Sequence, residues 1–152
     1  MNKKELLANE MSKAVEASSN QLSDILLNAR WLCALVLVEF GGVVASLQQV
    51  EKHTALLYLV FISHALAIAF FLGSVQRVLS GKHENQQTAS ELSIMMAMTE
   101  ELSDKDVQQV IQFTRGLFNY SNQKFNPAMM INAGLFFLVV GSALEGFLFL
   151  LH

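Results

Sequence analysis

The sequence contains little cysteine, proline and charge. Its single cysteine, Cys33, cannot form an internal disulfide or a thiolate metal cluster, which excludes disulfide-stapled and cysteine-ligated folds. One proline in 152 residues supplies few of the turns that a many-stranded β fold needs, so we expect helices in one compact unit. Charged residues make up 15% and the net charge is -3, without the basic excess of a nucleic-acid binder. We expect no nucleic-acid partner.

Apolar residues make up 53% of the chain, more than the roughly 45 to 50% typical of soluble domains. They concentrate in residues 31–47, 55–75 and 127–151. At ~1.5 Å per residue each run can cross a bilayer, although the first is near the lower length limit. The runs are apolar on every side, unlike the one-sided helices of soluble proteins. We therefore predict an all-α membrane protein with three transmembrane helices.

Lysine and arginine residues are distributed unevenly around these runs. Four precede the first run and five lie between the second and third, so nine stand on one side against Lys52 alone on the other. Cytoplasmic loops carry this excess in membrane proteins. We expect the N-terminus and residues 76–126 in the cytoplasm and the C-terminus outside or in the periplasm, in a bacterial inner membrane.

The two cytoplasmic segments show helical periodicity. Residues 1–30 predict an amphipathic helix, and residues 76–126 predict a helical hairpin. Ser103 and Asp106 have the spacing of a capping box at the start of the second arm, and Asn126-Pro127 predicts the start of the third span. The expected interaction face of the second arm comprises Val107, Ile111 and Phe118.

Ionisable side chains inside the spans are the strongest functional signal, because a charge at the bilayer centre costs at least ~2.5 to 3.5 kcal/mol. There are three: Glu39, His64 and Glu145. Counted from the outer ends of their runs they lie roughly 12, 15 and 10 Å deep, which predicts a polar belt at one depth. The belt would line a pore or bind a proton or cation. The alternative is that each group is neutral and hydrogen-bonded to a neighbouring helix.

Small residues recur at four-residue spacing on all three spans, which favours close helix packing and a homo-oligomer. The residues expected at these contacts are Gly41, Gly42, Ala65, Ala69, Gly73, Ser142 and Gly146. No short-range metal-ligand motif or cofactor motif is present, so we expect neither a metal nor a cofactor.

Arg77 and His83 resemble the Arg-x(4 to 6)-His signature of HEPN ribonucleases. Val78 stands where that signature commonly has a polar residue, and an arginine that reaches the membrane interface explains Arg77 more simply. We therefore expect no enzyme.

The order of segments is similar in outline to small membrane effectors of bacterial antiviral systems. That resemblance implies an oligomeric pore or channel gated through its cytoplasmic helices, which sense a protein or small-molecule signal. The alternative is a non-conducting membrane anchor or accessory subunit that docks a cytoplasmic or membrane partner.

Overall fold

The computed structural model describes residues 3–46, 54–99, 101–117 and 126–150. Within these ranges the chain is all-helical and has no strand. The four helices are α1 (Lys3–Ser46), α2 (Thr54–Met98), α3 (Asp104–Gly116) and α4 (Pro127–Leu150).

Three of these helices, α1, α2 and α4, are long and apolar enough to cross a membrane. The prediction of an all-α protein with three such helices is confirmed, and it indicates an integral membrane protein. Leu47 and Leu151, the predicted ends of the first and third runs, lie outside the described residues.

Helices α1 and α2 run well beyond the predicted spans, with 44 and 45 residues. At ~1.5 Å per residue each is roughly twice as long as the ~30 Å hydrocarbon core is thick. No helix ends near residue 30 or residue 75, because the sequence around these positions has no proline. The nearby glycines, Gly73 and Gly81, each cost about 1 kcal/mol in a helix without ending it. The first arm of the expected hairpin is therefore the C-terminal part of α2.

The two helix starts that the sequence predicts are confirmed. Ser103 caps α3: its hydroxyl accepts from the Asp106 backbone N–H, while the Asp106 carboxylate accepts from the Ser103 backbone N–H at 3.0 Å. Helix α4 begins at Pro127, where the missing N–H would have no partner within the helix.

The chain divides into two compact units rather than the expected one. We call Met1–Asp24 with Arg77–Asn126 the polar unit, and Ile25–Gln76 with Pro127–His152 the apolar unit. The division follows the composition: the polar unit holds the amphipathic segments, and the apolar unit holds the three apolar runs.

The polar unit packs around Met11, Met96 and Val110, each at most 5% exposed. Met96 thus fills a helical core, which is the role that unbranched methionine commonly takes. Met98 is instead 82% exposed. Two lysines add side-chain contacts between the segments of this unit: Lys82 donates to the Ser23 hydroxyl at 2.9 Å, and Lys4 donates to the Thr99 carbonyl.

The apolar unit packs around Val36 of α1, Ala67 and Phe71 of α2, and Leu138 of α4. Cys33 packs against this cluster as a small apolar side chain. Buried positions alternate at steps of three and four residues, the spacing of coiled-coil seams. We call this line of positions the apolar seam; on α2 it comprises Val60, His64, Ala67, Phe71 and Ser74.

The capping box predicts an acid-sensitive start of α3. Hydrogen bonds from the Ser103 hydroxyl and backbone N–H lower the pKa of Asp106 from its usual value. A lowered pKa in the folded protein means that the cap contributes stability above the ordinary aspartate range and loses it as the pH falls through the lowered pKa. Hydrogen-exchange protection of the α3 amides should decline in this acid range. Asp106→Asn, which does not titrate, should remove that dependence.

Ser103→Ala should lower the opening free energy of α3 by about 1 kcal/mol at neutral pH, because an orphan amide loses its acceptor. The matched control is Ser90→Ala at an exposed position within α2. Equal protection of α3 in Ser103→Ala and the wild type would contradict a stabilising cap.

Candidate functional site

The site begins with His64, which the apolar seam places in the interior of the apolar unit. Its side chain is fully buried. Nδ1 lies 2.9 Å from the Val60 carbonyl oxygen, one helical turn earlier. A carbonyl oxygen only accepts, so this geometry assigns a hydrogen to Nδ1. The other ring nitrogen, Nε2, is left to face α1.

Glu39 of α1 meets that nitrogen. Its Oε2 lies 3.3 Å from His64 Nε2, and its side chain is 30% exposed. Glu39 lies three residues after Val36 and four before Val43, both buried, so the apolar seam of α1 directs it inward. The structure thus brings together two of the three ionisable groups predicted to form a belt.

Ser142 of α4 completes the contact. Its hydroxyl lies 2.9 Å from Glu39 Oε2 and also 2.9 Å from the Leu138 carbonyl oxygen. A hydroxyl has one hydrogen, so it donates to one of these acceptors at a time. The sequence suggested Ser142 only as a small packing residue, and nothing local in α4 indicated a carboxylate partner on α1.

Glu145 lies three residues after Ser142 and is half-buried. Among the described residues, no three histidine, cysteine, aspartate or glutamate side chains are placed to hold a metal ion. Placement of all three ionisable groups at one membrane depth stays a prediction.

Gly141 on α4 leaves space for the imidazole ring of His64. A Cβ added there would lie 2.6 Å from His64 Cε1 and 2.7 Å from Nδ1, so any side chain would displace the ring. A Cβ added at Gly134, one heptad earlier, would lie 2.4 Å from the Phe71 ring. Sequence reasoning missed both glycines, although their seven-residue separation equals that of His64 and Phe71.

The other predicted packing residues divide into two groups. Gly73 is in contact within the chain, since an added Cβ would meet the Met130 side chain. The remaining predicted packing positions are exposed: Gly41, Gly42, Ala65, Ala69 and Gly146. For the glycines in this second group, an added Cβ would find no atom within 4 Å. Their role in packing thus stays a prediction about contacts between chains.

The predicted interaction face of α3 is partly buried. Val107 is half-buried, Ile111 is 38% exposed, and Phe118 lies outside the described residues. Ile111 borders an apolar groove of about 180 Å³ between α1 and α3. The groove is lined by Leu7, Glu10, Met11, Val110, Ile111, Thr114 and Arg115.

Arg77 and His83 both lie on α2. They are six residues apart on the continuous helix α2, which places them about 120° apart around its axis. Comparison with known protein families, characterised proteins and solved structures found no match. The geometry of the chain itself therefore carries the functional argument.

The close contact at Gly141 predicts a steric effect. Gly141→Ala should lower the free energy of unfolding in detergent by about 1 to 3 kcal/mol, because a well-packed interior accommodates an extra methyl group poorly. Gly81→Ala is the matched control: an added Cβ there meets nothing within 4 Å, and alanine favours a helix by up to about 1 kcal/mol. Equal stability of the two variants would contradict the contact.

Proposed function

We propose that the chain is the subunit of a homo-oligomeric membrane pore whose lining includes Glu39 and Glu145. The observation that supports this proposal is the exposure of these carboxylates. Glu39 is 30% exposed and Glu145 is half-buried, although both lie on membrane-crossing helices. A carboxylate turned toward lipid is costly, so protein or water must cover both groups.

The interior of a single chain is filled with side chains, so the proposed pore would lie between neighbouring chains. Val36, Ala67, Phe71 and Leu138 fill the centre of the apolar unit. Water in contact with Glu39 and Glu145 would therefore lie outside this centre, between neighbouring copies. The exposed glycines Gly41 and Gly146 would let such copies approach closely.

The orientation in this proposal follows from charge. Nine lysines and arginines on one side against Lys52 favour a cytoplasmic polar unit and an external or periplasmic C-terminus, in a bacterial inner membrane. A signal received by the cytoplasmic helices would bias the oligomer between closed and open arrangements. Ion flow through a pore that opens on a signal is an activity expected of an antiviral membrane effector, and it would need no catalytic residue.

Glu39→Gln and Glu145→Gln should lower cation leakage from proteoliposomes while leaving assembly intact. The two carboxylates attract cations, and each ~1.4 kcal/mol of lost attraction lowers occupancy about tenfold. Potassium efflux from loaded vesicles measures the effect, and particle mass in detergent reports assembly. Glu84→Gln, at an exposed site of the polar unit, is the matched control.

Leakage that is unchanged in both variants would argue strongly against the pore. A monomeric wild-type particle would contradict it independently of any flux measurement.

A second candidate is a membrane anchor that docks another protein, which the groove beside Ile111 favours. Leu7, Met11 and Val110 line this groove with apolar side chains, and Glu10 and Arg115 bring charge of both signs to its lining. An amphipathic helix of a partner would match that combination.

A photo-crosslinking residue placed at Ile111 should then capture one discrete foreign protein in cells. The same residue at Gln112, exposed on the adjacent side of α3, should not. Adducts made only with other copies of this chain would contradict the anchor and would be compatible with the oligomer.

A further inference from the structure

The exposed side of α1 in the apolar unit carries a regular line of positions. They recur at steps of three and four residues, the spacing at which parallel helices pack side chains between one another. They lie on the far side of α1 from the buried Val36 and Val43, in a stripe about 80° wide at 3.6 residues per turn. We call this line the α1 outer face; it comprises Trp31, Ala34, Val38, Gly41 and Ala45.

Helix α4 has an exposed line with the same spacing, on its far side from Gly134 and Gly141. We call this line the α4 outer face; it comprises Asn132, Phe136, Val139, Ala143, Gly146 and Leu150. Neither outer face is covered within one chain. Val38 is 74% exposed and Val139 is 66% exposed, and a Cβ added at Gly41 would meet no atom within 4 Å.

We propose that the α1 outer face of one copy packs against the α4 outer face of the next copy. The inference rests on the homo-oligomer proposed above and assigns the contact that would build it. Lipid can cover an apolar helix face, so a second copy must be favoured by something more specific. The heights of the two outer faces, the sizes of their side chains and the position of Glu39 all favour it.

The heights follow from a contact within one chain. The Ser142 hydroxyl lies 2.9 Å from Glu39 Oε2, which sets residue 39 of α1 level with residue 142 of α4. Val36 and Leu138 share a core cluster about one turn earlier on each helix, so the two helices run in the same direction. Copies related by rotation about the membrane normal keep equal heights. Each α1 position is therefore level with the position 103 residues later on the α4 of a neighbouring copy.

This offset makes the two outer faces interleave. The five positions of the α1 outer face are level with residues 134, 137, 141, 144 and 148 of α4. Each of these heights falls between two successive positions of the α4 outer face. Side chains of the two copies would then fit between one another, as knobs fit into holes in a coiled coil. Contact with lipid alone requires no such match.

The side chains that come level also match in size. Gly41 falls between Ala143 and Gly146 of the next copy, so the two backbones can approach closely there. Ala34 falls just beside Phe136, and its small side chain leaves space for the ring. Small residues thus face either small residues or a large ring, which is the arrangement that close packing requires.

The polar groups of the two outer faces complement each other at their N-terminal ends. Trp31 is 69% exposed and is level with residue 134, two residues from the exposed Asn132. An indole N–H only donates a hydrogen bond, and the amide oxygen of Asn132 accepts one. A contact between the two outer faces therefore gives each polar group a partner that hydrocarbon cannot supply.

Glu39 favours protein rather than lipid as the cover of the α1 outer face. It follows Val38 in the sequence, so it lies at the edge of that face, about 100° around the helix from Val38. Its side chain is 30% exposed, and a carboxylate turned toward lipid is costly. A neighbouring α4 would shield this edge from lipid and leave the carboxylate beside the space between copies, where the proposed pore would lie.

Disulfide cross-linking of the full chain in membranes tests the contact. In a Cys33→Ala background, Gly41→Cys/Ala143→Cys places one thiol on each outer face, at heights that differ by one residue, ~1.5 Å. Oxidation with copper phenanthroline should give a ladder of covalent dimers, trimers and larger species, because each copy bonds to one neighbour on either side. Gly41→Cys alone and Ala143→Cys alone should stay monomeric, because neither outer face meets itself.

The matched control is Ala65→Cys/Ala143→Cys in the same background. Ala65 is an exposed small residue of α2, and it follows His64, which contacts Glu39, so it lies at a similar height. The proposed contact does not include α2, so this pair should give no ladder.

A second variant tests the contact without added cysteines. Gly41→Leu should lower the particle mass in detergent toward that of one chain, because the larger side chain occupies the space that the neighbouring helix needs. Its own chain accommodates the change, since a Cβ added at Gly41 meets no atom within 4 Å. Ala65→Leu should keep the wild-type mass.

Three results would each overturn the contact: an oligomeric wild type whose double cysteine variant gives no ladder, dimers from either single cysteine variant, or an unchanged mass of Gly41→Leu. If the double variant fails to fold, the mass of Gly41→Leu decides. A monomeric wild type would contradict both the contact and the pore. A ladder without vesicle leakage supports the contact and contradicts the pore; leakage from an oligomer without a ladder does the reverse.

Discussion

Hydrocarbon offers no partner to a polar group, and this constraint organises the apolar unit. His64 is fully buried and Glu39 is partly exposed, so each supplies a hydrogen-bond partner that lipid cannot. The pairing in turn depends on Val60, which holds one ring nitrogen, and on Gly141, which leaves room for the ring. The packing around Phe71 continues the same line of contact.

The sequence predicts much of the fold, because the decisive signals are local. Apolar runs identify the three membrane-crossing helices through their length and composition alone. Ser103 and Asp106 lie three residues apart, and their capping box needs no tertiary contact. The start of α4 at Pro127 likewise follows from the geometry of one residue.

The remaining features depend on contacts between distant segments. Counting residues along each span predicts that Glu39 and His64 lie at a similar depth in the membrane. Which of their atoms come into contact depends on the rotation of α1 and α2 about their own axes, which the count does not give. Ser142 joins them from a third helix, 103 residues after Glu39. The uninterrupted course of α2 was hidden by a change of composition near residue 76, which alters solvent preference without breaking the helix.

The matched spacing on α2 and α4 limits how these helices can move. His64 fits against Gly141 and Phe71 against Gly134, so two rings seven residues apart occupy two gaps seven residues apart. Sliding α4 by a single turn would drive a ring into a larger side chain. The next register with a ring opposite a glycine lies about 10.5 Å away, a third of the hydrocarbon thickness. The contacts of His64 with Gly141 and of Phe71 with Gly134 therefore oppose sliding of α4 along α2 by one turn.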